Sequence, residues 1–340
     1  MSERYSRQTR FEPLGQEGQD RIRGSRVLLV GVGALGSHLA SCLVRAGVGE
    51  LWLVDRDVVE LDNLPRQLLF SELDALHGRP KALAAAERLR EVNGACRLRP
   101  VMEDFDVDVF QSLDARFDLI LDGTDNFSTR YLINDLAIRH EITWIYGGAV
   151  GARGTAMAVI PGITPCLRCL LPTPPPAAEI GTCETEGILS PTIAMVAGFQ
   201  SAQALKVLSG KPEDVARGVF TVDVWQDSYS VSMDDATPRA DCPSCGTHEL
   251  PSLREGRGEA VRLCGRNATQ VRPEKGAALD LDRVASQLMP IAEEIQLTPH
   301  LLRFSVEGCH FSVFRGGRAL LFGVDDPDRA RILYDRYVGV

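Results

Sequence analysis

The sequence contains 340 residues, with a formal net charge of −9 and nine cysteines. This length accommodates one large domain and a smaller one, and the acidic charge argues against a protein that binds nucleic acid through its phosphates. No apolar run reaches the roughly 18 residues of a membrane helix, and the polar start MSERYSRQTRF lacks the apolar core of a secretory signal, so we expect a cytoplasmic protein with no membrane partner.

Strand and helix signals alternate through the first 150 residues. Short apolar runs predict five strands, at residues 27–30, 51–54, 98–101, 119–121 and 144–146. Helical spacing or a composition rich in helix formers predicts helices at 35–46, 81–92 and 129–139. The strands are apolar throughout, which is typical of a parallel sheet buried on both faces. We therefore predict an α/β fold with a doubly wound, Rossmann-like and mainly parallel sheet.

The second half of the chain is less regular. A proline-rich stretch at 171–178 predicts an exposed loop, and an alanine-rich stretch at 191–208 predicts a helix. Composition then shifts, which divides the chain into a main domain at 1–250, a linker at 251–262 and a small α+β domain at 263–340.

Four elements are predicted in the small domain. They are a helix at 281–295 kinked at Pro290, a strand at 301–306, a hairpin at 311–322 that turns at Gly316-Gly317, and a closing helix at 328–337.

A glycine-rich turn follows the first predicted strand and opens the first predicted helix. It reads Gly31-Val32-Gly33-Ala34-Leu35-Gly36. Glycines let the backbone approach a phosphate, and the free N–H groups of a helix start favour an anion there. Asp55 closes the second predicted strand, where a carboxylate can accept hydrogen bonds from ribose hydroxyls. These features favour NAD and ATP equally, and a strand–helix turn without a ligand stays an alternative.

A dense polar stretch at 55–67 follows the expected ribose position and distinguishes between the two nucleotides. A hydride-transfer site needs an apolar slot for nicotinamide, whereas this stretch supplies Arg66, whose planar fork suits phosphate oxygens. Lys81 adds a second cation. Asp125 lies beyond the fourth predicted strand, where Mg²⁺ would take a carboxylate together with phosphate oxygens. The set favours ATP, although each cation alone is typical of a solvated surface and Asp125 alone of a helix cap.

Four of the nine cysteines form two C-x-x-C pairs, Cys166 with Cys169 and Cys242 with Cys245. Two such pairs predict a tetrahedral thiolate site for zinc. Four protein ligands leave no open position, so we expect a structural Zn²⁺ that clamps the chain's return onto the core. A set of unrelated buried cysteines is the alternative.

At these residues the sequence resembles the ThiF/MoeB/HesA adenylyltransferase family, relatives of the ubiquitin-activating enzymes. Eight motifs occur in the family's order: RYSRQ (4–8), GVGALGS (31–37), VDRDVVELDNLPRQ (54–67), GRPKA (78–82), DGTDNFSTR (122–130), PCLRC (165–169), TCETEGILSP (182–191) and DCPSCG (241–246). This ordered set is far more specific than the glycine turn alone.

The resemblance implies an enzyme that uses ATP and Mg²⁺ to adenylate the C-terminal Gly-Gly carboxylate of a small ubiquitin-like sulfur carrier protein, with release of pyrophosphate. The pathway implied is thiamine or molybdopterin biosynthesis. The resemblance also implies an obligate homodimer in which Arg7 reaches the neighbouring protomer's ATP. A sulfurtransferase or a cysteine desulfurase is a further expected partner.

The resemblance assigns roles to individual residues. Asp55 would hold the ribose, and Asp125 would bind Mg²⁺. The nucleotide contacts expected are Gly31, Gly33, Ala34, Gly36, Asp55, Asp57, Asn63, Arg66, Gln67, Lys81, Asp125 and Asn126. The catalytic residues expected are Arg7, Arg66, Lys81, Asp125 and Cys183.

Two positions depart from the family's pattern. Ala34 stands where many members have glycine, and it is small enough to keep the backbone close to a phosphate. Asp62 stands where the family usually has serine, which predicts weaker ATP binding unless its carboxylate faces away.

Cys183 matches the family's loop cysteine. In some relatives this cysteine forms a thioester or acyl disulfide with the partner protein, and in others it is dispensable. An inert cysteine on a loop is therefore the alternative to a nucleophile that attacks the acyl-adenylate.

The C-terminal region resembles an extension of some ThiF-type proteins, in LCGRNATQVRP (263–273) and LYDRYVG (333–339). Those versions are linked with thiazole synthesis, which slightly favours a ThiS-like carrier over a MoaD-like one. A packing domain without a site is the alternative.

Three other functions are alternatives to adenylation of a sulfur carrier. An NAD-dependent oxidoreductase is disfavoured by the DNLPRQ and TDN stretches and by the paired cysteines. A docking scaffold without activity is disfavoured by Arg7, Arg66, Lys81 and Asp125. A family member that adenylates another acyl substrate, a tRNA nucleoside or a peptide, stays open, although the acidic charge disfavours RNA.

Overall fold

The computed structural model describes residues 3–174, 186–232, 237–254, 260–262, 268–272 and 279–339. The chain divides into two compact units, Met1–Arg254 and Glu255–Val340. Within the described ranges, no helix is long and apolar enough to span a bilayer.

The first unit is built on one eight-stranded sheet. Its strands are β1 (Arg26–Val30), β2 (Glu50–Val54), β3 (Arg97–Val101), β4 (Leu119–Asp122), β5 (Trp144–Val150), β6 (Arg153–Val159), β7 (Val219–Asp223) and β8 (Ser228–Ser232). Their spatial order is β3-β2-β1-β4-β5-β6-β7-β8. The five strands from β3 to β5 pair in parallel, and β6, β7 and β8 continue the sheet antiparallel. The predicted doubly wound, Rossmann-like sheet is therefore confirmed.

Nine helices belong to this unit in its described part. They are α1 (Ser6–Thr9), α2 (Gly15–Gly24), α3 (Ala34–Ala46), α4 (Glu72–Leu76), α5 (Lys81–Val92), α6 (Val107–Ser112), α7 (Phe127–Arg139), α8 (Leu167–Leu170) and α9 (Ser190–Leu208). Short 3-10 helices occur at Glu3–Tyr5, Leu61–Asn63, Pro212–Asp214 and Pro251–Leu253. The four long helices predicted from spacing and composition are present, and α7 begins two residues early because the Asn126 side chain accepts the Thr129 N–H.

Helices cover both faces of the sheet. Leu29 of β1 faces a core shared with α3, α5 and α9, whereas its neighbour Leu28 faces a second core shared with α6 and α7. Successive strand residues point to opposite faces. A strand buried on both sides is therefore apolar at consecutive positions, as residues 27–30 of β1 show.

The three antiparallel strands β6, β7 and β8 were not predicted. The strand predicted at 144–146 continues through two glycines to Val150, and β6 to β8 follow it as a meander. β8 has the sequence SYSVS and is exposed along its length, so it lacks the apolar run that identified the buried strands.

The described part of the second unit contains a six-stranded antiparallel sheet and two helices. Its strands are β9 (Ala260–Arg262), β10 (Ala268–Val271), β11 (Glu294–Leu297), β12 (Leu301–Val306), β13 (Cys309–Phe314) and β14 (Ala319–Phe322), and its helices are α10 (Leu281–Leu288) and α11 (Pro327–Tyr337). The spatial order is β11-β12-β13-β14-β10-β9. One face packs on α10 and α11 around Phe304 and Phe311, whose rings stack with centroids 4.5 Å apart.

The hairpin predicted at Gly316-Gly317 is present between β13 and β14. Phe314 N–H donates to the Arg318 carbonyl at 2.8 Å, and Gly317 adopts a φ of 81°. Residues other than glycine rarely adopt this conformation.

The prediction of a helix at 281–295 is wrong beyond Leu288, where α10 ends. Pro290 has no N–H to continue the helical ladder, and residues 294–297 instead form β11, which pairs with β12. Pairing with a neighbouring strand overrides the helical propensity of this segment.

The segment predicted as a linker, 251–262, has structure near both ends. Pro251–Leu253 form a 3-10 helix, and Ala260–Arg262 form the edge strand β9.

Candidate nucleotide and metal sites

The glycine turn joins β1 to α3 and packs against the end of β4. Gly31 has a φ of 85°, and a Cβ at Gly36 or Gly123 would lie 2.0 or 2.3 Å from the Gly31 carbonyl oxygen. Gly33 is different, because the nearest atom to a Cβ there would be Nε2 of Gln67 at 3.8 Å. Gly31 and Gly36 are thus needed for backbone packing, and Gly33 leaves open space above the turn.

The N-terminus of α3 has the features of an anion site. Gly33 occupies the N-cap position and no side chain caps the helix, which starts at Ala34. The N–H groups of a first helical turn have no partners inside the helix, so they can donate to an anion.

Asp55 lies directly behind this turn. Its carboxylate accepts the N–H of Val32 at 2.7 Å and the N–H of Asp57 at 2.7 Å. Burial raises the pKa of Asp55 above its usual value, while the charge of Lys81 opposes that rise. Each oxygen keeps one further lone pair, so the carboxylate can still accept a hydroxyl.

Asp57 and Lys81 meet at the same edge of the sheet. Lys81 is buried at the start of α5, with its Nζ 3.7 Å from Oδ2 of Asp57 and its N–H donating to the Asp57 carbonyl at 2.9 Å. The structure therefore brings together two predicted residues that are 24 positions apart.

Asn63, Arg66 and Gln67 lie on the 3-10 helix and the turn after it. Nδ2 of Asn63 donates to the Asp62 carboxylate at 2.8 Å, so this carboxylate faces an amide of its own chain. Arg66 is half-buried, and the one hydrogen bond that its guanidinium makes in the described part of the chain goes to the Asp62 carbonyl.

The side-chain amide of Gln67 points toward the glycine turn. Gln67 is buried, and its Oε1 atom has no hydrogen-bond partner among the described residues. A buried polar atom without a partner is costly, so this amide fits a site completed by a polar ligand.

The end of β4 carries the predicted magnesium ligand. Asp122 is fully buried and accepts the Thr124 N–H at 2.8 Å and the Thr124 hydroxyl at 2.7 Å. Burial raises the pKa of Asp122, and the charge of Arg130 opposes that rise. Asp125 is exposed and makes no hydrogen bond with any described residue, whereas Asn126 is occupied as the N-cap of α7.

Arg7 does not join these residues within one chain. Its side chain is exposed on α1 and makes no hydrogen bond or ion pair with a described residue of its own chain. The adjacent Gln8 donates to the Ala46 carbonyl at 3.0 Å, which anchors α1 at the C-terminal end of α3, the opposite end from the glycine turn.

The four paired cysteines form one compact cluster. Their sulfur atoms all lie within 4.8 Å of one another. The Sγ–Sγ distances are 3.9 Å for Cys166–Cys169, 3.6 Å for Cys166–Cys242 and 3.3 Å for Cys169–Cys245. Zn–S bonds of about 2.3 Å place the corners of a tetrahedron about 3.8 Å apart, so the cluster fits a zinc ion.

Two buried polar residues of α7 hold the cysteine-bearing turns. Asn134 Oδ1 accepts the Leu167 N–H at 2.9 Å, and Asp135 accepts the Ser244 hydroxyl and the Ser252 N–H. Both residues are fully buried. Neither residue was predicted from the sequence, because a polar pair inside a helix pattern gives no local sign of what it will contact.

The remaining cysteines are dispersed. Cys42 is exposed on α3, while Cys96 and Cys309 are buried in separate units. Cys183 and the end of the proline-rich stretch, 175–178, lie outside the described residues.

Comparison with known families gives one decisive match. The family model described as the ThiF family matches residues 5–245. The chain belongs to the ThiF family. The family match spans the glycine turn, the polar stretch, Asp125 and all four clustered cysteines.

The chain is also similar over most of its length to two adenylyltransferases. The chain is 39% identical over 341 residues to "Sulfur carrier protein ThiS adenylyltransferase" of Bacillus subtilis, and the alignment covers 100% of both chains. It is 35% identical over 259 residues to "Sulfur carrier protein adenylyltransferase" of Thermus thermophilus, covering 74% of this chain and 93% of the relative.

A solved structure shares the ThiF-family fold. The crystal structure of Escherichia coli MccB with ATP superposes with a TM-score of 0.61 at 21% identity, covering 72% of this chain and 75% of MccB. At this identity the likeness shows the fold alone.

Proposed function

We propose that this protein uses ATP and Mg²⁺ to adenylate the C-terminal Gly-Gly carboxylate of a ubiquitin-like sulfur carrier protein, releasing pyrophosphate. The carrier is ThiS-like or MoaD-like, for sulfur transfer in thiamine or molybdopterin biosynthesis. The observation that carries the proposal is the similarity to the Bacillus subtilis protein named for this activity, which extends over the whole length of both chains. We place the reaction in the cytoplasm.

The residues at the carboxyl edge of the sheet fit ATP. The uncapped start of α3 offers N–H groups to phosphate oxygens, and the unpaired Gln67 amide faces the same space. Arg66 and Lys81 would neutralise charge between two anionic reactants, and Asp55 would accept ribose hydroxyls. Lys81 already pairs with Asp57 in this structure. On phosphate binding, the charge of Lys81 would therefore be shared between Asp57 and the phosphate.

The donor set also fits the magnesium ion that the reaction needs. Asp125 presents a carboxylate with no hydrogen bond in the described chain, at the edge where phosphates would lie. Mg²⁺ would supply charge neutralisation at the triphosphate, and it accepts one or two carboxylates in such sites. Asp62 faces the Asn63 amide, which reduces the repulsion that its charge would otherwise exert.

We propose that the four-cysteine cluster holds a structural Zn²⁺. The sulfur separations match a tetrahedral site, and Asn134 and Asp135 fix the two turns that carry the ligands. With four protein ligands, the ion would stabilise the fold and take no part in adenylation.

The position of Arg7 supports a homodimer with shared sites. Anchoring of α1 at the C-terminal end of α3 separates Arg7 from the glycine turn of its own chain. We therefore propose that Arg7 contacts the ATP bound to the other protomer.

After adenylation, the carrier must receive sulfur from a donor protein. A sulfurtransferase or a cysteine desulfurase would supply sulfur to the activated carboxylate. We assign Cys183 to this later stage, so Cys183→Ala is expected to leave pyrophosphate exchange unchanged. Loss of exchange in Cys183→Ala would show that the cysteine acts in adenylation itself.

Two other functions are not favoured. An NAD-dependent oxidoreductase is disfavoured by the ThiF-family match, and the charged Lys81–Asp57 pair beside Asp55 suits phosphates better than nicotinamide. A peptide or a tRNA nucleoside as substrate is not favoured, because the likeness to MccB at 21% identity shows the fold alone.

The proposal is tested by ATP–pyrophosphate exchange with the zinc-loaded full chain. A panel of small carrier proteins ending in Gly-Gly is compared with the same carriers lacking the last two residues. We expect exchange only with an intact carrier, and the preferred carrier identifies the pathway. Folded protein that catalyses no exchange with any carrier would overturn the proposed substrate class.

A further inference from the structure

The carboxyl ends of β4 and β5 are joined by a buried arginine. The backbone ladder between these parallel strands runs through Leu121 opposite Ile145. Beyond that point, Nη2 of Arg130 donates to the Thr124 carbonyl at 2.8 Å and to the Gly147 carbonyl at 3.2 Å. Its Nε lies 3.3 Å from Oδ2 of the fully buried Asp122. One guanidinium thus links the last residue of β4, the turn after it, and β5.

The guanidinium plane is also held on its sides. Arg130 is 6% exposed, and its Cζ lies 5.1 Å from the ring centroid of Phe127 and 5.3 Å from that of Tyr146. From the opposite face of the sheet, Nε2 of Gln200 on α9 donates to the Asp122 carbonyl at 2.9 Å and to the Ile145 carbonyl at 3.2 Å. Side chains from both helical layers therefore fix this short stretch of backbone.

This stretch determines where Asp125 lies. Asp125 makes no hydrogen bond with a described residue, so its place depends on the turn formed by residues 123–125. That turn is held by Asp122 through Thr124 N–H and Oγ1, and by Arg130 through the Thr124 carbonyl. A planar guanidinium can bond several acceptors in a fixed geometry, which a lysine ammonium cannot reproduce.

We propose that Arg130 is a positioning residue that sets the Asp125 carboxylate for metal binding to the ATP-bound protein. The inference rests on the proposed function, in which Asp125 holds Mg²⁺. Stability alone does not require this arrangement, since apolar residues of similar volume commonly replace a buried ion pair without loss. Partners that orient a metal ligand typically change metal affinity by about 10-fold to 100-fold when they are altered.

The test measures Mn²⁺ binding to the full-length protein–ATP complex by electron paramagnetic resonance, with Mn²⁺ as the probe for Mg²⁺. Arg130→Lys keeps the charge beside Asp122 but loses the fork. We expect its Mn²⁺ affinity to fall by about 10-fold or more, while its ATP affinity without metal, measured by calorimetry, stays at the wild-type value. Wild-type Mn²⁺ affinity in folded Arg130→Lys would overturn the proposal.

Arg168→Lys is the matched control. Arg168 is also a buried arginine beside a fully buried carboxylate, with its Nε 3.7 Å from Oδ1 of Asp135 and its Cζ 4.3 Å from the Tyr131 ring centroid. It belongs to the cysteine-bearing turns and does not contact residues 122–125 within the described chain. An equal loss of Mn²⁺ affinity in Arg168→Lys would show that general destabilisation causes the effect, and this also would overturn the proposal.

Asp125→Asn distinguishes a failure of the Arg130 positioning role from a failure of the proposed magnesium role of Asp125. We expect this variant to lose Mn²⁺ binding, and if it binds Mn²⁺ normally the proposed magnesium role of Asp125 fails, whatever Arg130 does. Should Arg130→Lys not fold, Asp122→Asn combined with Arg130→Gln removes both buried charges together. That double variant is expected to fold and to bind Mn²⁺ weakly, and wild-type affinity there would count against the positioning role.

Discussion

Individual side chains around the glycine turn differ in how firmly their own chain holds them. Lys81 and Asp122 are buried and ion-paired, so replacing either one leaves a partner charge without compensation. Arg66 is half-buried, and its guanidinium donates a hydrogen bond to one carbonyl in the described chain. The effects of mutation on activity and on stability should therefore separate most clearly at Arg66.

Arg66→Ala is expected to lower ATP–pyrophosphate exchange by about 100-fold or more, since a missing donor to a developing charge typically has an effect of this size. Its free energy of unfolding should change by less than about 1 kcal/mol. Exchange assays and urea denaturation measure the two quantities. Arg23→Ala, which removes an exposed arginine of α2 paired with Asp20, is the control and should leave both unchanged. Exchange at the wild-type rate in Arg66→Ala would remove this residue from the site.

Part of the candidate site could be predicted from local sequence and part could not. Asp55 and Asp125 were identified because parallel strands bring their carboxyl ends to one edge, so a polar residue after an apolar run has a predictable place. The sequence did not predict the structural roles of four other residues, Arg130, Asn134, Asp135 and Gln200. They lie inside helices and bond partners distant in sequence, which only the packed structure brings near.

At the scale of elements, one buried carboxylate holds the N-terminal ends of three strands. Glu50 starts β2 and is 4% exposed, and Arg26 of β1 and Arg97 and Arg99 of β3 lie 3.1 to 3.3 Å from its oxygens. Burial acts to raise the pKa of Glu50, but hydrogen bonds and charges from these arginines outweigh it and lower the pKa below 4.5.

Glu50→Gln is expected to reduce the free energy of unfolding at pH 7 by about 1 to 2 kcal/mol, because the three arginines lose a charged acceptor but are themselves partly exposed. A lowered folded-state pKa stabilises the fold above the unfolded-state value of 4.5, and that contribution is lost as the pH falls through the folded-state pKa. The difference between variant and wild type should therefore shrink below pH 4.5.

Urea denaturation from pH 7 to pH 3 measures this difference. Asp20→Asn, which affects an exposed pair on α2, provides the control and should show little effect at any pH. A stability difference for Glu50→Gln that is constant across this range would contradict an ionic contribution from Glu50.

The cysteine cluster joins elements that are distant in the chain. Cys166 and Cys169 flank the start of α8, and Cys242 and Cys245 lie in a turn 76 residues later along the chain. A metal there would tie both segments to α7, on which Asp135 already holds Ser244 and Ser252.

Cys166→Ser is expected to release zinc and to lower the free energy of unfolding by more than about 3 kcal/mol, since metal binding to such a site contributes directly to folding. Metal analysis and thermal denaturation measure these effects. Cys42→Ser, at an exposed position on α3, should keep one zinc per chain and the wild-type melting temperature. A metal-free wild-type protein with an unchanged melting temperature would argue against a structural ion.

Strands were predictable from the sequence where burial on both faces makes consecutive side chains apolar. Two strands without such burial were not predictable. β1, β2 and β4 are buried on two faces, so their sequences are continuous apolar runs. β8 is exposed and β11 follows a proline within a helix-like pattern, so neither has a distinct local signal. Their strand conformation comes from hydrogen bonds to β7 and β12.

At the scale of the whole molecule, one protomer does not bring together all the residues that the reaction is proposed to need. The 13-residue helix α3 is about 20 Å long at 1.5 Å per residue, and α1 is anchored at its far end by Gln8. Asn93 adds a second anchor by donating to the Tyr5 hydroxyl at 2.9 Å. This distance exceeds the length of an arginine side chain, so Arg7 would have to serve another protomer.

Subunit mixing tests this arrangement. Arg7→Ala and Arg66→Ala homodimers are both expected to be inactive, because each lacks one of the two arginines at every site. When the variants are coexpressed with different affinity tags, half of the dimers are mixed, and in each mixed dimer one site receives both arginines. The unsorted pool should recover about a quarter of the wild-type exchange rate, and the doubly purified mixed dimer about half. If Arg7 instead acts within its own chain, each site of the mixed dimer lacks one arginine, and purified mixed dimers would show no recovery.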